Sequence, residues 1–143
     1  MSPKAQAIAL TLIRIASGIY LFFLGFNKIG WLFNSAPLVG QLSAWQSQSG
    51  TMTRWYLERV LPGAPLFARL LPLGEMVTGF SLALGVWTRL AAAVAFVIVL
   101  NAQFAAGAMF HYAYLTEARG LPMLASLLAL AIGGGRLPLS LRT

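Results

Sequence analysis

Four apolar runs, at about residues 5–29, 66–87, 90–110 and 119–135, leave this chain few ways to fold. An uninterrupted hydrophobic stretch of some 20 residues satisfies its backbone hydrogen bonds internally as a helix, and lipid is the solvent that accepts its apolar surface. At ~1.5 Å per residue the first three runs are long enough to cross a hydrocarbon core of about 30 Å. The fourth is continuous only from Leu121 to Gly135, so it either begins earlier, within "YLTEARG", or thins the bilayer locally. Only 9% of the residues are charged, against about 25% in an average soluble domain. The expected fold is an all-α integral membrane protein, a four-transmembrane-helix bundle forming a single membrane domain over residues 1–143.

Pro3 suits the first turn of a helix. Arg14 and Tyr20 interrupt the first run and no small-residue cleavage site follows it, so it is expected to remain as the first membrane helix. Thr88-Arg89 is the expected connection between the second and third runs, which makes them an antiparallel hairpin. An even number of spans places both termini on one side of the membrane. Ten Lys or Arg against three Glu give a formal charge of +7. The basic residues stand singly at the ends of apolar runs, the distribution of helix anchors, so anionic lipid is the expected partner and nucleic acid is not. Lys4, Arg89, Arg136 and Arg142 fall on the terminal side and Lys28, Arg54, Arg59 and Arg119 on the other. That tally is even, and the absence of Glu near the termini and the Arg89 turn tips the expectation to cytoplasmic termini.

Residues 31–65, "WLFNSAPLVGQLSAWQSQSGTMTRWYLERVLPGAP", are the one long polar connection. Leu38, Leu42 and Trp45 have helical spacing, as do Met52, Trp55, Tyr56 and Arg59. This reads as one or two amphipathic pieces on the membrane surface, with Trp31, Trp45, Trp55 and Tyr56 at headgroup level. They would form either an interfacial cap or a lid for a substrate or partner. His111, beside Tyr112 and Tyr114, reads as interfacial, with a proton donor or ligand as the alternative.

Polar residues inside the spans fall into stripes. Arg14, Gly18, Leu21, Gly25 and Lys28 share one face of the first helix. Gly74, Thr78, Ser81 and Gly85 share a face of the second, with Glu75 and Gly79 in the adjoining row. Asn101 and Gln103 are the polar side chains of the third, and Pro122, Ser126, Ala129 and Gly133 make a small-residue stripe on the fourth. Such stripes let helices approach closely in lipid. Counting inward from the Arg89 side puts Arg14 at roughly 14 Å, Asn101 at roughly 17 Å and Glu75 at roughly 20 Å. An unpaired charge at that depth costs about 2.5–3.5 kcal/mol or more. The expectation is therefore an Arg14–Glu75 ion pair completed by Asn101 or Gln103, with Lys28 either reaching the headgroups or facing the cavity mouth. The cluster would either hold the helix packing or line a cavity for a small polar headgroup. With no cysteine and a single histidine, the chain lacks the ligands for a disulfide, an iron–sulfur cluster or a histidine metal site. No metal or flavin is expected, so redox work would require a bound cofactor or a partner.

The segments "GIYLFFLGFNKIGWL" and "LPLGEMVTGFSLALGVWTRLAA" resemble those of the DoxX family of small bacterial membrane proteins. The first carries Gly18, Phe22 or Phe23, Gly25 and Lys28; the second carries Gly74, Glu75, Gly79, Leu82, Gly85, Thr88, Arg89 and Ala91. The resemblance covers roughly residues 8–135, the third and fourth helices matching as apolar segments. It implies a four-helix bundle in the bacterial inner membrane, with cytoplasmic termini and a redox-related role. Relatives include the small membrane subunit of a thiosulfate:quinone oxidoreductase and components of oxidant-defence complexes. Related folds include eukaryotic cargo receptors and receptor-assembly chaperones. The expected function is an oxidoreductase subunit that binds a quinone near Arg14, Glu75 and Asn101, with electrons from a partner. Arg14 or Asn101 would bond a quinone oxygen and Glu75 would pass the proton. A thiol relay would need thiols from another chain. The alternative is an assembly or scaffold subunit docking on a membrane or peripheral protein, or on a second copy of itself. A small-solute transporter is less favoured, since no inverted repeat is evident.

Overall fold

The computed structural model describes residues 1–48 and 50–141; Arg142, counted above among the terminal-side charges, lies outside the described residues. Six α-helices carry the described chain: α1 Pro3–Phe26, α2 Ala36–Gln48, α3 Thr51–Val60, α4 Ala64–Leu84, α5 Thr88–Ala105 and α6 Leu121–Gly133. Pro3 occupies the first turn of α1, and the Ser2 hydroxyl accepts the Ala5 N–H at 3.3 Å, a side-chain cap. Three stretches are long and apolar enough to span: α1, the nearly continuous helix Thr51–Leu84 that contains α4, and α5. With 13 residues, α6 rises only about 20 Å, short of a ~30 Å core.

Several boundaries differ from expectation, each for a local reason. Instead of running to residue 110, α5 stops at Ala105, because Gly107 adopts a left-handed φ of 66° that cannot continue a helix. Short 3-10 turns at Ala108–Phe110 and Tyr112–Thr116 then lead to α6. The α4–α5 hairpin turns through residues 85–87, with Gly85 and Trp87 left-handed at φ 71° and 46°. Thr88 and Arg89 are the first residues of α5 rather than the turn. The Arg89 Nε instead donates to the Ala131 carbonyl at 3.1 Å, near the C-terminal end of α6.

The dominant packing is α1 against antiparallel α4. A Cβ added to Gly18 would lie 2.8 Å from the Gly79 carbonyl oxygen, and one added to Gly79 would lie 2.7 Å from that of Gly18. Gly25 meets the Pro72 carbonyl in the same way, at 2.7 Å. Backbone-to-backbone contact of this kind requires glycine. On α4 both rows pack: Ala68, Pro72, Glu75, Gly79 and Leu82 are buried, and so are Thr78 and Gly85 of the small-residue stripe, where a Cβ added to Gly74 would lie 2.8 Å from the Ile98 side chain of α5. On α6 the buried face is Leu124, Leu127 and Leu130, whereas Pro122 and Gly133 are exposed, correcting the small-residue stripe expected there. The leucines fit because the facing stretch of α5 supplies Ala91, Ala92 and Ala95. A second core at the other end joins Leu38, Leu42 and Leu57 of α2 and α3 to Ala64, Ala68 and Ala105. It seats the two amphipathic helices as a cap over that end of the bundle. Met52 and Trp55 of the expected α3 stripe point outward.

Candidate functional site

Side chains on a helix lean toward its N-terminus. Because α1 and α4 are antiparallel, Arg14 and Glu75 lean in opposite directions: Arg14 toward the termini, Glu75 toward the cap. Their heights differ as well. Gly18 sits between Gly79 and Ala83, which places Arg14 level with about Gly85, ten residues and roughly 15 Å from Glu75. The expected Arg14–Glu75 pair does not form. Helix α1 extends well beyond the end of α4, so counting depth from the ends of the runs put the two residues at one level in error.

Glu75 pairs instead with Lys28, two residues past the end of α1. The Lys28 ammonium donates to both carboxylate oxygens, at 2.7 and 2.9 Å. The Glu75 side chain is 4% exposed and that of Lys28 26%, so the acid is buried and the base reaches toward the surface. The ammonium also lies 5.7 Å from the centre of the Trp31 ring, a cation–π distance. Of the two outcomes open for Lys28, the structure has it at the cavity.

That cavity, about 430 Å³, lies between the capped ends of α1, α4 and α5 and beneath α2 and α3. Lys28, Glu75, Asn101 and Gln103 line it together, so four of the five expected polar residues converge there. Tyr56 donates its hydroxyl to Asn101, joining the cap to α5. Gln103 accepts the Tyr114 hydroxyl at 2.5 Å and donates to the Arg119 carbonyl, holding the turns that follow α5. Trp31, Trp45 and Tyr56, expected at headgroup level, are half-buried and line the cavity. Trp55 is exposed with the Arg59 guanidinium 4.4 Å from its ring centre. His111 is exposed and borders a separate concavity of about 370 Å³ with Trp45, Met52 and Phe110.

The fifth expected residue, Arg14, is fully buried but elsewhere. Its guanidinium donates to the Ser140 hydroxyl at 2.6 Å and to the Leu139 and Pro138 carbonyls at 3.0 and 3.4 Å. Leu139 is itself left-handed, with φ 56°, and the Leu141 N–H donates to the Leu84 carbonyl at 3.1 Å. The segment after α6 thus folds back onto the terminal end of α1 and α4.

Tyr20, Glu117 and Arg119 also line the cavity and escaped sequence reasoning. Tyr20 was legible, because Tyr20, Leu24 and Lys28 recur every four residues along one face. Glu117 and Arg119 carried no local signal, since they arrive through irregular turns. Among the cavity-lining charges, Lys28 and Arg119 balance Glu75 and Glu117. The site therefore has no net charge, a mostly apolar wall and a few fixed polar groups, the makeup of a small-molecule pocket. Among the described residues no three His, Cys, Asp or Glu come together as a metal-binding group.

The DoxX family model matches residues 9–111 of the chain. The chain belongs to the DoxX family. The matched segment carries α1 to α5 and stops before α6. No curated protein and no solved structure matches the chain. The DoxX motif residues now have physical duties. Gly18 and Gly79 make the α1–α4 crossing, Lys28 and Glu75 form the cavity ion pair, and Arg89 bonds the end of α6. Gly85 combines a left-handed turn with the space occupied by the Arg14 guanidinium.

Proposed function

We propose that this DoxX protein is the membrane subunit of a redox-related complex and binds a quinone, or a similar lipid-soluble carrier, in the capped cavity. The observation that carries the reading is the Lys28–Glu75 pair, a buried carboxylate and its ammonium opening onto an aromatic-walled, electrically balanced pocket. Intramembrane ionisable residues facing a cavity commonly mark ligand or proton paths. Lys28 or Asn101 replaces Arg14 as the donor to a ring oxygen, and Glu75 delivers or accepts the proton that accompanies reduction or oxidation. Electrons come from a partner protein, because nothing in this chain carries them.

In this reading the termini lie in the cytoplasm and the cavity lies toward the opposite face. Arg69, exposed near the start of α4, adds a basic residue on the cap side, while Lys28 is withdrawn from that count by its ion pair. The charge tally stays even, and the family resemblance supports the orientation. A cytoplasm-active reporter fused after the last residue checks it, and activity only of a reporter that works outside the cytoplasm reverses it.

The functional test is organic extraction of the purified protein followed by chromatography for co-purified quinone, with Glu75→Gln in parallel. Quinone in the parent and its depletion in the variant are expected. A well-folded, functional complex without quinone and insensitive to quinone analogues would instead favour a purely assembling subunit.

A further inference from the structure

Several polar groups around the cavity are engaged with one another or with the turns beside it. Both Glu75 oxygens take the Lys28 ammonium. The Asn101 carbonyl takes the Tyr56 hydroxyl, and the Gln103 carbonyl takes that of Tyr114. Among the described residues lining the cavity, one buried side-chain atom is left over. The Tyr20 hydroxyl is buried and has no hydrogen-bond partner. Its ring lines the cavity about two helical turns further into the bundle than Lys28. Tyr20 shares the cavity wall with Glu75, Glu117 and Arg119. A buried hydroxyl left without a partner is costly, more so than a satisfied one is stabilising. A phenol is above all a donor, and the acceptor oxygens of Glu75, Asn101 and Gln103 already take other donors.

We infer that the Tyr20 hydroxyl anchors the head of the bound molecule, donating to an acceptor oxygen, a carbonyl, on an uncharged amphiphile. This rests on the cavity being a ligand site, and it narrows the occupant. A charged head meets no net opposite charge, since Lys28 holds Glu75 and the lining charges, Lys28 and Arg119 against Glu75 and Glu117, balance. An anionic head would have to displace Glu75 from Lys28. A neutral head with acceptor oxygens gives the buried Tyr20 hydroxyl its missing partner, and its apolar remainder lies along Leu24, Leu71 and Val99.

The experiment uses the full-length chain in lipid nanodiscs and two probes, decyl-benzoquinone and decylbenzene, which share a tail but differ in the acceptor oxygens. Binding of the quinone is read by quenching of tryptophan fluorescence, since Trp31 and Trp45 line the cavity; decylbenzene is read by competition. Tyr20→Phe is expected to weaken the quinone about tenfold, the scale of one buried hydrogen bond, and to leave decylbenzene unchanged. The infrared carbonyl band of the bound quinone is expected at lower frequency than in hexane and to return toward it in Tyr20→Phe. Ala102→Leu, which fills the cavity, is expected to block both probes. Equal affinity of parent and Tyr20→Phe, equal loss of both probes, or an unshifted carbonyl band in the parent would overturn the anchoring role while Ala102→Leu still upheld the cavity. Quenching unaffected by Ala102→Leu, or no saturable quenching at all, would overturn the cavity reading itself.

Discussion

The molecule buries two charges on neighbouring helices and treats them differently. At the capped end, Glu75 is met by an opposite charge, Lys28, on the wall of a cavity. At the terminal end, Arg14 meets no carboxylate among the described residues and is held by a hydroxyl and two backbone carbonyls of residues 138–140. The first arrangement keeps a charged pair beside open space, where a ligand or a proton can reach it. The second buries its charge, bonds both terminal guanidinium nitrogens and binds a chain segment to the bundle. The difference teaches that a buried charge in a membrane helix is not by itself a site. What surrounds it decides, and only Glu75 is surrounded by a pocket.

Breaking one partner at a time separates the two ends, and the largest effect is expected at the cavity. Lys28→Met strands the Glu75 carboxylate and should destabilise the fold by about 3 kcal/mol, the lower end for a broken buried pair. Adding Glu75→Gln to that variant should recover most of the loss. Thermal unfolding in one detergent compares the three proteins, and a double variant no more stable than Lys28→Met would count against the pairing.

Removing residues 138–143 tests the other end. The guanidinium then lacks its acceptors, and a loss of about 2–3 kcal/mol is expected. In an Arg14→Met background the same truncation should cost far less. If it costs the same in both backgrounds, the segment packs for reasons unrelated to Arg14.

The two ends should also differ in binding. Glu75→Gln is expected to weaken decyl-benzoquinone about tenfold, an effect of about 1.4 kcal/mol. Arg14→Gln, if it elutes as a folded species, should leave the affinity within twofold. Equal weakening by both would mean that the ends act as one unit.

The smallest effect is expected for Ser140→Ala. It removes one of three acceptors from Arg14 and should lower stability by about 1 kcal/mol, measured by the same unfolding assay. The affinity for the quinone should not change.

Much of this was legible before any coordinates. The recurrence of Arg14, Gly18, Leu21 and Gly25 every three or four residues marks the packed face of α1, and all four are buried. The spacing of Leu38 and Leu42 marks α2, whose buried residues they are. Of the polar group Arg14, Lys28, Glu75, Asn101 and Gln103 that the sequence marks, all but Arg14 share a cavity. The pairing within that group was misread. Depth counted from segment ends assumes helices that finish flush, and α1 does not. The direction in which helical side chains lean was available as a correction, since it sends Arg14 and Glu75 apart in antiparallel helices. The α6 stripe misled for another reason. Which face of a short apolar helix packs depends on its neighbour, and the alanines of α5 leave room for Leu124, Leu127 and Leu130.

The sequence alone determined the solvent, the number of apolar helices, the faces of α1 and α4 that could approach, and the amphipathic cap. All of these follow from local properties: hydrophobic length, periodicity and residue size. Only the tertiary structure decided that Glu75 belongs to Lys28, that Arg14 belongs to the segment after α6, and that Tyr20 stands unpartnered beside the cavity. Periodicity specifies the face of a helix but not its height against a neighbour. Over a ten-residue difference in height, one buried charge closes a bundle and another opens onto a cavity.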